Sequence, residues 1–402
     1  MTNLYDQASF IFTANAYSAS RLFSIKPTNG TGDLTFSRAS ACTRITPNGV
    51  IELLANNVPA LNYSSSLSCP VLQLDPQRTN LVPTSNNFAT YTKTGTSVIG
   101  NILTEDSSTG THRLETPFHG GYSTASLYTY SAIIKQSVGT RDVLISVSNG
   151  ISGDMISQVL NLQTGALSNS FAGHADWSNL SNRVTSLPNG YYLFELSGQT
   201  ASGSSHRMRV NMISGSTGNY LGNGTSSIEV SHFQSELGAF ATSRIITTGA
   251  SATRIADNLQ SQNLGNLTNY TIFFDQLITY DTGSSSIQHI FNNTLGLFFY
   301  SVATNVGIRF YNQLNSQHMF GSNSGPINKW IITFNGSIYT LFVNGVKITT
   351  YTPPNTVNHV LTSFNTQISS GFLGQRDAAV GIKTISIFNN VLSDAECIAL
   401  TT

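Results

Sequence analysis

Charged side chains are scarce in this sequence. Of 402 residues, 19 are Lys or Arg and 19 are Asp or Glu, so the charged share is 9% and the formal net charge is zero. Ordinary globular proteins contain about 25% charged residues. No basic cluster is present, so we expect no nucleic-acid partner. Hydrophobic residues nevertheless reach 40%, which excludes the composition of a disordered chain.

Long apolar runs and paired cysteines are also missing. No hydrophobic stretch approaches the roughly 18 residues of a membrane-spanning helix, so we expect no membrane insertion. The segment Met1–Phe12 has an acid and no basic region, unlike an ordinary secretory signal. Cys42, Cys69 and Cys397 form no Cys-x-x-Cys pair. We interpret them as buried thiols of a chain that folds in a reducing compartment.

Motifs for catalysis, metals and cofactors are absent from the sequence. There is no His-Glu-x-x-His, Walker loop, Gly-x-Ser-x-Gly or dinucleotide fingerprint. We therefore predict no enzyme, no cofactor and no metal site. The adjacent acids Glu105 and Asp106 lie in the polar stretch LTEDSSTGTH and are interpreted as a solvated loop. Distant acids can still converge in a fold, so hydrolysis by paired carboxylates stays open.

Strand and turn signals dominate what is present. Asn335-Gly336 and Asn344-Gly345 separate β-rich runs between Trp330 and Tyr351, which predicts a three-stranded meander with type I′ turns. Ser393, followed three residues later by Glu396, predicts a capping box and one short helical turn. Apolar alternation also predicts strands in the middle of the chain: Tyr128–Ser137, Arg141–Gly150, Met155–Gly165, Asn189–Gly198 and Ser226–Phe240.

The opening region resembles a signature of bacteriophage virion proteins. Its motifs are FSRASACTRITPNGVIE, NVPALNY and LQLDPQRTNLVPTSNNF, which are similar to those of tail-fibre and head-fibre appendage proteins. Together with the lead-in SIKPTNGTGDLTFSR, they resemble proteins from phages of Bacteroidota, including crAss-like phages. The resemblance implies a virion structural protein on the particle exterior, in contact with other virion proteins.

The remainder of the chain resembles two lectin-like domains. LPNGYYLF and FQSELGAFATSRIITTGASATRIAD are similar to the closing strands of a carbohydrate-binding-module-like β-sandwich. The run from NKWIITFNGSIYTLFVNGVKI to FNNVLSDAECIAL resembles a laminin-G or concanavalin-A-like jelly roll. We therefore expect an all-β protein with an irregular N-terminal virion-assembly module (1–85) and two β-sandwiches (86–261 and 262–402). The last is expected to close its own core. No acid set for calcium is recognised.

Two distant stretches repeat an arginine element, FSRASACTRI near the start and FATSRIITTGASATRI near the end of the middle domain. We interpret the arginines as structural donors to backbone carbonyls at chain crossings, since a guanidinium offers five N–H groups. The residues are Arg38, Arg44, Arg78, Arg244 and Arg254, with Glu52, Asp75 and Asp257 as the nearest counter-charges in sequence. The alternative is an arginine pocket for an acidic ligand.

Glycan binding is expected from the lectin-like resemblance, because such domains stack aromatic rings on sugars. Trp177 is the first candidate, followed by Tyr191 and Tyr192, which point to opposite faces in a strand. Trp330 is interpreted as a core residue. We expect a homo-oligomeric virion appendage, a trimer by analogy, that contacts host-surface polysaccharide. The alternatives are a ligand-free decoration protein and a polysaccharide depolymerase.

Overall fold

The structure is a computed structural model of the full chain. It describes the following residues: 3–63, 68–151, 155–171, 176–201, 205–215, 217–261, 264–278, 286–289, 296–302, 305–311, 316–322, 329–353, 359–367 and 379–402. Strands make up 54% of the chain and helices 6%. The expected all-β class is confirmed.

The strands fall into three groups along the chain. A short helix, α1 (Leu4–Gln7), precedes the first group: β1 (Ala8–Thr13), β2 (Tyr17–Ser18), β3 (Arg21–Leu22), β4 (Thr35–Ser37), β5 (Cys42–Ile45), β6 (Ile51–Leu54), β7 (Ala60–Asn62), β8 (Val71–Leu74) and β9 (Arg78–Asn80). The second group is β10 (Thr92–Thr94), β11 (Thr96–Ile99), β12 (Ile102–Glu105), β13 (Thr109–Gly110), β14 (His112–Glu115), β15 (His119–Gly120), β16 (Leu127–Val138), β17 (Asp142–Ser148), β18 (Met155–Leu160), β19 (Leu167–Phe171), β20 (Trp177–Ser186), β21 (Tyr192–Thr200), β22 (Ser205–Ile213), β23 (Tyr220–Leu221) and β24 (Ser227–Leu237).

The third group contains β25 (Ala252–Arg254), β26 (Asn258–Gln260), β27 (Tyr270–Ile278), β28 (Ser286–His289), β29 (Gly296–Val302), β30 (Asn305–Tyr311), β31 (Ser316–Ser322), β32 (Lys329–Phe334), β33 (Tyr339–Val343), β34 (Val346–Tyr351), β35 (Asn365–Gln367) and β36 (Val380–Phe388). Helix α2 (Asp394–Thr401) follows it. Single 3₁₀ turns lie at Phe88–Thr90 and Pro188–Gly190. Neither α-helix in the described residues is long or apolar enough to cross a membrane.

One large sheet combines strands from both ends of the chain, and we call it the shared sheet. Its order is β34-β33-β32-β27-β36-β8-β7, and β1 pairs with β36 beside β8. Phe12 of β1 and Leu72 of β8 are buried in one cluster with Phe274 and Trp330. Segments assigned in the sequence analysis to 1–85 and 262–402 therefore share one sheet and one core. Residues 262–402 do not close that core by themselves.

The opposite face of the shared sheet is covered by α2. Cys397 and Leu392 pack there against Phe342 and Phe388. The side chain of Ser393 accepts from the Glu396 amide, and the Glu396 carboxylate accepts from the Ser393 amide. The predicted capping box is confirmed, although the helix extends over eight residues rather than one turn.

A β-sandwich lies between residues 81 and 251, and we call it the inserted sandwich. Its outer sheet has the order β10-β14-β22-β17-β18-β19 with β15 on β22, and its inner sheet has the order β11-β12-β24-β16-β21-β20. Tyr130 and Phe194 of the inner sheet pack against Val147 and Val210 of the outer sheet. The five strands expected from alternation in this part of the chain are confirmed.

The inserted sandwich joins the rest of the chain through a two-stranded neck, β9 and β25. These strands pair antiparallel, with Asn80 opposite Ala252 and Arg78 opposite Arg254. The chain thus enters the inserted sandwich after residue 80 and leaves it before residue 252, at nearly the same point in space. We call the two flanking segments, residues 3–80 and 252–402, together the split unit.

Some local predictions need correction. The meander β32-β33-β34 is present, and Asn344 and Gly345 both have positive φ, as a type I′ turn requires. At the first turn, however, Asn335 accepts from the amides of Ser337 and Ile338 within a four-residue loop. The loop length between Phe334 and Tyr339 excludes the two-residue turn.

The cysteine interpretation is confirmed at two positions and wrong at the third. Cys42 and Cys397 are buried, whereas Cys69 is exposed. Burial raises the pKa of each buried thiol to about 12, so both remain protonated at neutral pH.

Candidate functional site

The inner sheet has an unusual second face, because this face is polar and yet buried. Side chains alternate between the two faces along each strand, so the residues between the core positions point away from the sandwich interior. A segment at residues 239–251 lies over this face. The buried polar side chains there are Thr129, Ser131, Glu195, Gln234 and Glu236.

These side chains supply hydrogen bonds that no strand ladder provides. The Glu195 carboxylate accepts from the Ala241 amide at 2.7 Å. The Glu236 carboxylate accepts from the Thr242 amide at 2.9 Å and from its hydroxyl at 2.6 Å. Irregular backbone can therefore be buried against the sheet without leaving its amides unsatisfied.

Arg244 lies on the same face and is 4% exposed. One Nη donates to the Ser131 hydroxyl at 2.7 Å and the other to the Thr242 carbonyl. Burial lowers the pKa of this guanidinium, and the carboxylates of Glu236 and Glu195 oppose that shift. Arg244 thus ties the covering segment to strand β16.

A buried cluster of four charges lies at the neck. Arg38 Nη1 is 3.0 Å from Asp257 Oδ1, while Arg254 Nη1 is 3.1 Å from Asp75 Oδ2 and 3.5 Å from Asp257 Oδ2. All four side chains are at most 2% exposed. Burial, together with the Asp75 carboxylate, raises the pKa of Asp257 to about 6 against the effect of the two arginines. The cluster joins residues from both segments of the split unit.

Both arginines of this cluster also donate to backbone carbonyls. Arg38 Nε reaches the Ser40 carbonyl at 2.8 Å, and its Nη2 reaches those of Ala55 and Val58 at 3.1 and 2.8 Å. Arg254 Nη2 donates to the Pro76 carbonyl.

Arg44 and Arg78 have different surroundings. Arg44 Nε lies 2.6 Å from the Glu52 carboxylate in a partly exposed pair. Arg78 donates to the Gln77 carbonyl at 3.0 Å, and its guanidinium lies 5.4 Å from the centre of the Phe240 ring. Gly238 is required beside it, since an added Cβ would lie 2.7 Å from Arg78 Nη2 at a φ of +125°.

A cavity of about 130 Å³ lies where the split unit meets the inner sheet, and we call it the junction cavity. Strands β5, β7 and β8 form one side, β16, β20 and β21 the other, and residues 241–244 a third. Its polar lining includes Arg44, Asn62, Gln73, Asp75, Arg183 and Arg244. Arg183 is paired with Glu195, with Nε 2.6 Å from Oε2.

The junction cavity combines polar donors and acceptors with an apolar surface. Ile45, Val71, Ile133 and Leu193 contribute the apolar part. Such a lining can hydrogen-bond hydroxyl groups and pack against C–H groups, and the volume is close to that of a cavity that holds one small ring. Sequence reasoning missed Asn62, Gln73 and Arg183, because the cavity exists only after distant strands meet.

The predicted glycan residues are not brought together by the structure. Trp177 is 6% exposed and lies in the sandwich core, 6.3 Å from Tyr130 between ring centres. The Tyr191 hydroxyl donates to the Glu229 carboxylate, and burial together with that carboxylate raises its pKa. Tyr192 packs partly buried against the same core. Trp330 is fully buried and stacks on Phe274.

Glu105 is not in a solvated loop, so that interpretation is wrong for this residue. It is 1% exposed and accepts from Arg141 Nε and Nη2 at 3.0 and 2.7 Å, and from the Tyr220 hydroxyl at 2.6 Å. These hydrogen bonds lower the pKa of Glu105 against the effect of burial. Asp106 is exposed and accepts from Ser108, as a loop residue does. Glu105 is thus held as an ionised structural carboxylate.

Within the described ranges, no group of three or more His, Cys, Asp or Glu side chains could hold a metal ion. No protein-family model matches the chain, and no curated protein matches it.

Several solved structures show weak likeness to part of the chain. The CBM40 of the Ruminococcus gnavus IT-sialidase is 18% identical and covers 34% of this chain and 84% of its own, with a TM-score of 0.27. The botulinum neurotoxin type G receptor-binding domain is 16% identical and covers 35% and 38%, with a TM-score of 0.28. The binding domain of Paraclostridial mosquitocidal protein 1 is 16% identical and covers 36% and 40%, with a TM-score of 0.29. Scores this low carry no argument about function.

Proposed function

We propose that this chain is a structural protein of a phage virion, exposed on the particle exterior, that contacts host-surface glycans through the junction cavity. The virion assignment is supported by the opening motifs FSRASACTRITPNGVIE and LQLDPQRTNLVPTSNNF. The observation that carries the binding assignment is the mixed lining of the junction cavity, with arginines, amides and aliphatic side chains around one small volume.

A glycan array with the purified full chain tests the binding assignment. The matched variants are Thr185→Trp, which fills the junction cavity from β20, and Ser181→Trp, which places the same side chain at an exposed position of that strand outside the lining. We expect the first variant to lose glycan binding and the second to keep it. If the unmodified chain binds no glycan, a ligand-free decoration protein is the better assignment. Shortening of capsular polysaccharide by the chain would instead indicate a depolymerase.

Electron micrographs of purified phage particles, labelled with an antibody against this chain, test the virion assignment. We expect label on the particle exterior. Particles that contain no such chain by mass spectrometry and antibody labelling would contradict it.

We further propose that the chain assembles as a homotrimer. Zero net charge provides little electrostatic repulsion between copies. Light scattering of the full chain at micromolar concentrations measures the mass directly, and a strictly monomeric protein would overturn this proposal. Deletion of 1–85 is not a suitable test, since Phe12 and Leu72 belong to the core of the shared sheet.

A further inference from the structure

The outer sheet of the inserted sandwich presents a cluster of arginines on the face opposite its core. In β14 and β22, Leu114 and Met208 point into the sandwich. The alternating residues lie on the other face, and Glu115 is directly opposite Arg209. We call Arg113, Glu115, Arg207 and Arg209 the arginine face.

Among the residues that the structure describes, positive charge is in excess on the arginine face. Arg113 Nε is 3.3 Å from Glu115 Oε1, Arg207 Nη1 is 3.7 Å from Oε2, and Arg209 Nε also contacts Oε1. Three cations therefore share one carboxylate. In contrast, Glu105 and Glu195 are each paired with one arginine, and the neck cluster has two charges of each sign. A bound anion would offset the excess.

Donor groups on this face remain available for a ligand. A guanidinium has five N–H groups, and the side chains of Arg113, Arg207 and Arg209 are 31%, 27% and 15% exposed. Ser146, opposite Arg209 on β17, is 1% exposed, and its hydroxyl has no hydrogen-bond partner among the described residues. The Ser146 hydroxyl without a partner therefore lies beside the arginines that carry the excess positive charge.

An exposed aromatic ring borders the cluster. Phe118 is 45% exposed, and the Arg207 guanidinium lies 4.5 Å from its ring centre. An aromatic face packs well against the C–H face of a pyranose, while the planar guanidinium fork matches a carboxylate. Phe118 and the neighbouring arginines together fit one ligand that has both a sugar ring and a carboxylate.

We infer that the arginine face binds a saccharide that bears a carboxylate. The carboxylate is held by Arg113 and Arg207, and the sugar ring lies on Phe118. This inference deepens the proposed glycan contact and rests on it, but it places the acidic sugar at a site separate from the junction cavity.

Isothermal titration calorimetry of the full chain with trigalacturonic acid tests the inference, and galactotriose is the neutral match. The double variant Arg113→Gln/Arg207→Gln removes both excess charges and leaves the Arg209–Glu115 pair intact. We expect it to weaken trigalacturonic acid binding at least roughly tenfold, since hydrogen bonds to charged groups are lost. Arg21→Gln, which removes an arginine paired with Asp33 far from this face, should leave binding unchanged.

No binding of trigalacturonic acid, or equal binding by the double variant, would overturn the inference. Equal affinity for trigalacturonic acid and inorganic sulfate would overturn it as well, because the site would then recognise charge without a sugar. If neutral glycans still bind and Thr185→Trp abolishes that binding, the proposed function stands even when this inference fails. An array without any bound glycan removes both.

Discussion

The inserted sandwich and the split unit differ in how many segments of the chain form their cores. The core of the inserted sandwich comes from one continuous segment, from Val82 to Phe233. The core of the split unit needs residues from both segments, such as Phe12 and Ile385. The two regions thus differ in how far apart along the chain the residues of one core lie, and only the inserted sandwich can complete its core without the rest of the chain.

The largest effect on folding is expected from dividing the chain into fragments that correspond to these regions. A fragment of residues 81–251 should fold cooperatively, because it contains both sheets of its sandwich. A fragment of residues 262–402 lacks β1, β7 and β8 of the shared sheet and should be molten or aggregated. Urea unfolding followed by near-ultraviolet circular dichroism measures both. A cooperative 262–402 fragment beside a molten 81–251 fragment would reverse the comparison.

The next largest effect on stability is expected at the neck, where the two regions meet. Arg254→Ala leaves Asp75 and Asp257 buried with Arg38 as the remaining cation of the cluster. We expect a loss of about 3–5 kcal/mol in the free energy of unfolding, as for other broken buried ion pairs. Arg44→Ala, in the partly exposed pair with Glu52, should cost less than about 1 kcal/mol. Equal losses in chemical denaturation would show that burial of the neck cluster has no energetic role.

Acid should affect the stability contributions of two buried groups, one in each region, in opposite directions. Burial and the nearby Arg244 lower the pKa of His232, in the inserted sandwich, to about 3, whereas an unfolded histidine titrates near pH 6.5. As pH falls below about 6.5, the unfolded state binds a proton that the folded state excludes, and stability drops by about 1.4 kcal/mol per pH unit. For Asp257, in the split unit, the folded pKa is raised to about 6. Its folded form takes up the proton first, so its contribution is present at low pH and is lost as pH rises through 6.

Urea unfolding between pH 4 and 7 separates these terms. His232→Gln should flatten the acid-side decline in stability, and Asp257→Asn should make it steeper between pH 6 and 4, each relative to the unmodified chain. Unchanged slopes in both variants would contradict the assigned shifts.

The smallest effect is expected at the end of α2. Ser393→Ala removes the side chain that accepts from the Glu396 amide and should cost about 1 kcal/mol. Since α2 packs on the shared sheet, the loss should appear in the split unit alone. A lower midpoint for the inserted sandwich in the same variant would show that the two regions unfold together.

Local patterns predicted several of the elements but not their partners. Alternation located β16, β17 and β24, and the spacing of Ser393 and Glu396 located α2, because these signals lie within a few residues. The pairing of Ala8 with Phe388 has no local signal, so the shared sheet could not be predicted. Glu105 was misread for the same reason, since its partners Arg141 and Tyr220 are distant in sequence.

The candidate sites show the same limit. Trp177 was the first glycan candidate, yet it begins β20 and points into the core. One useful signal was present in HRMRV, where Arg207 and Arg209 must share a strand face at a spacing of two. The excess of charge became visible only when β14 brought Arg113 and Glu115 beside them.

The neck also determines how this protein can change over evolution. Directly opposed residues in an antiparallel pair have Cα atoms about 4.5–5.5 Å apart, and Asn80 and Ala252 are such a pair. Everything between them is therefore a cassette whose two ends meet. A recombination event that exchanges the cassette would leave the shared sheet and its core complete, while the lining of the junction cavity would change with it.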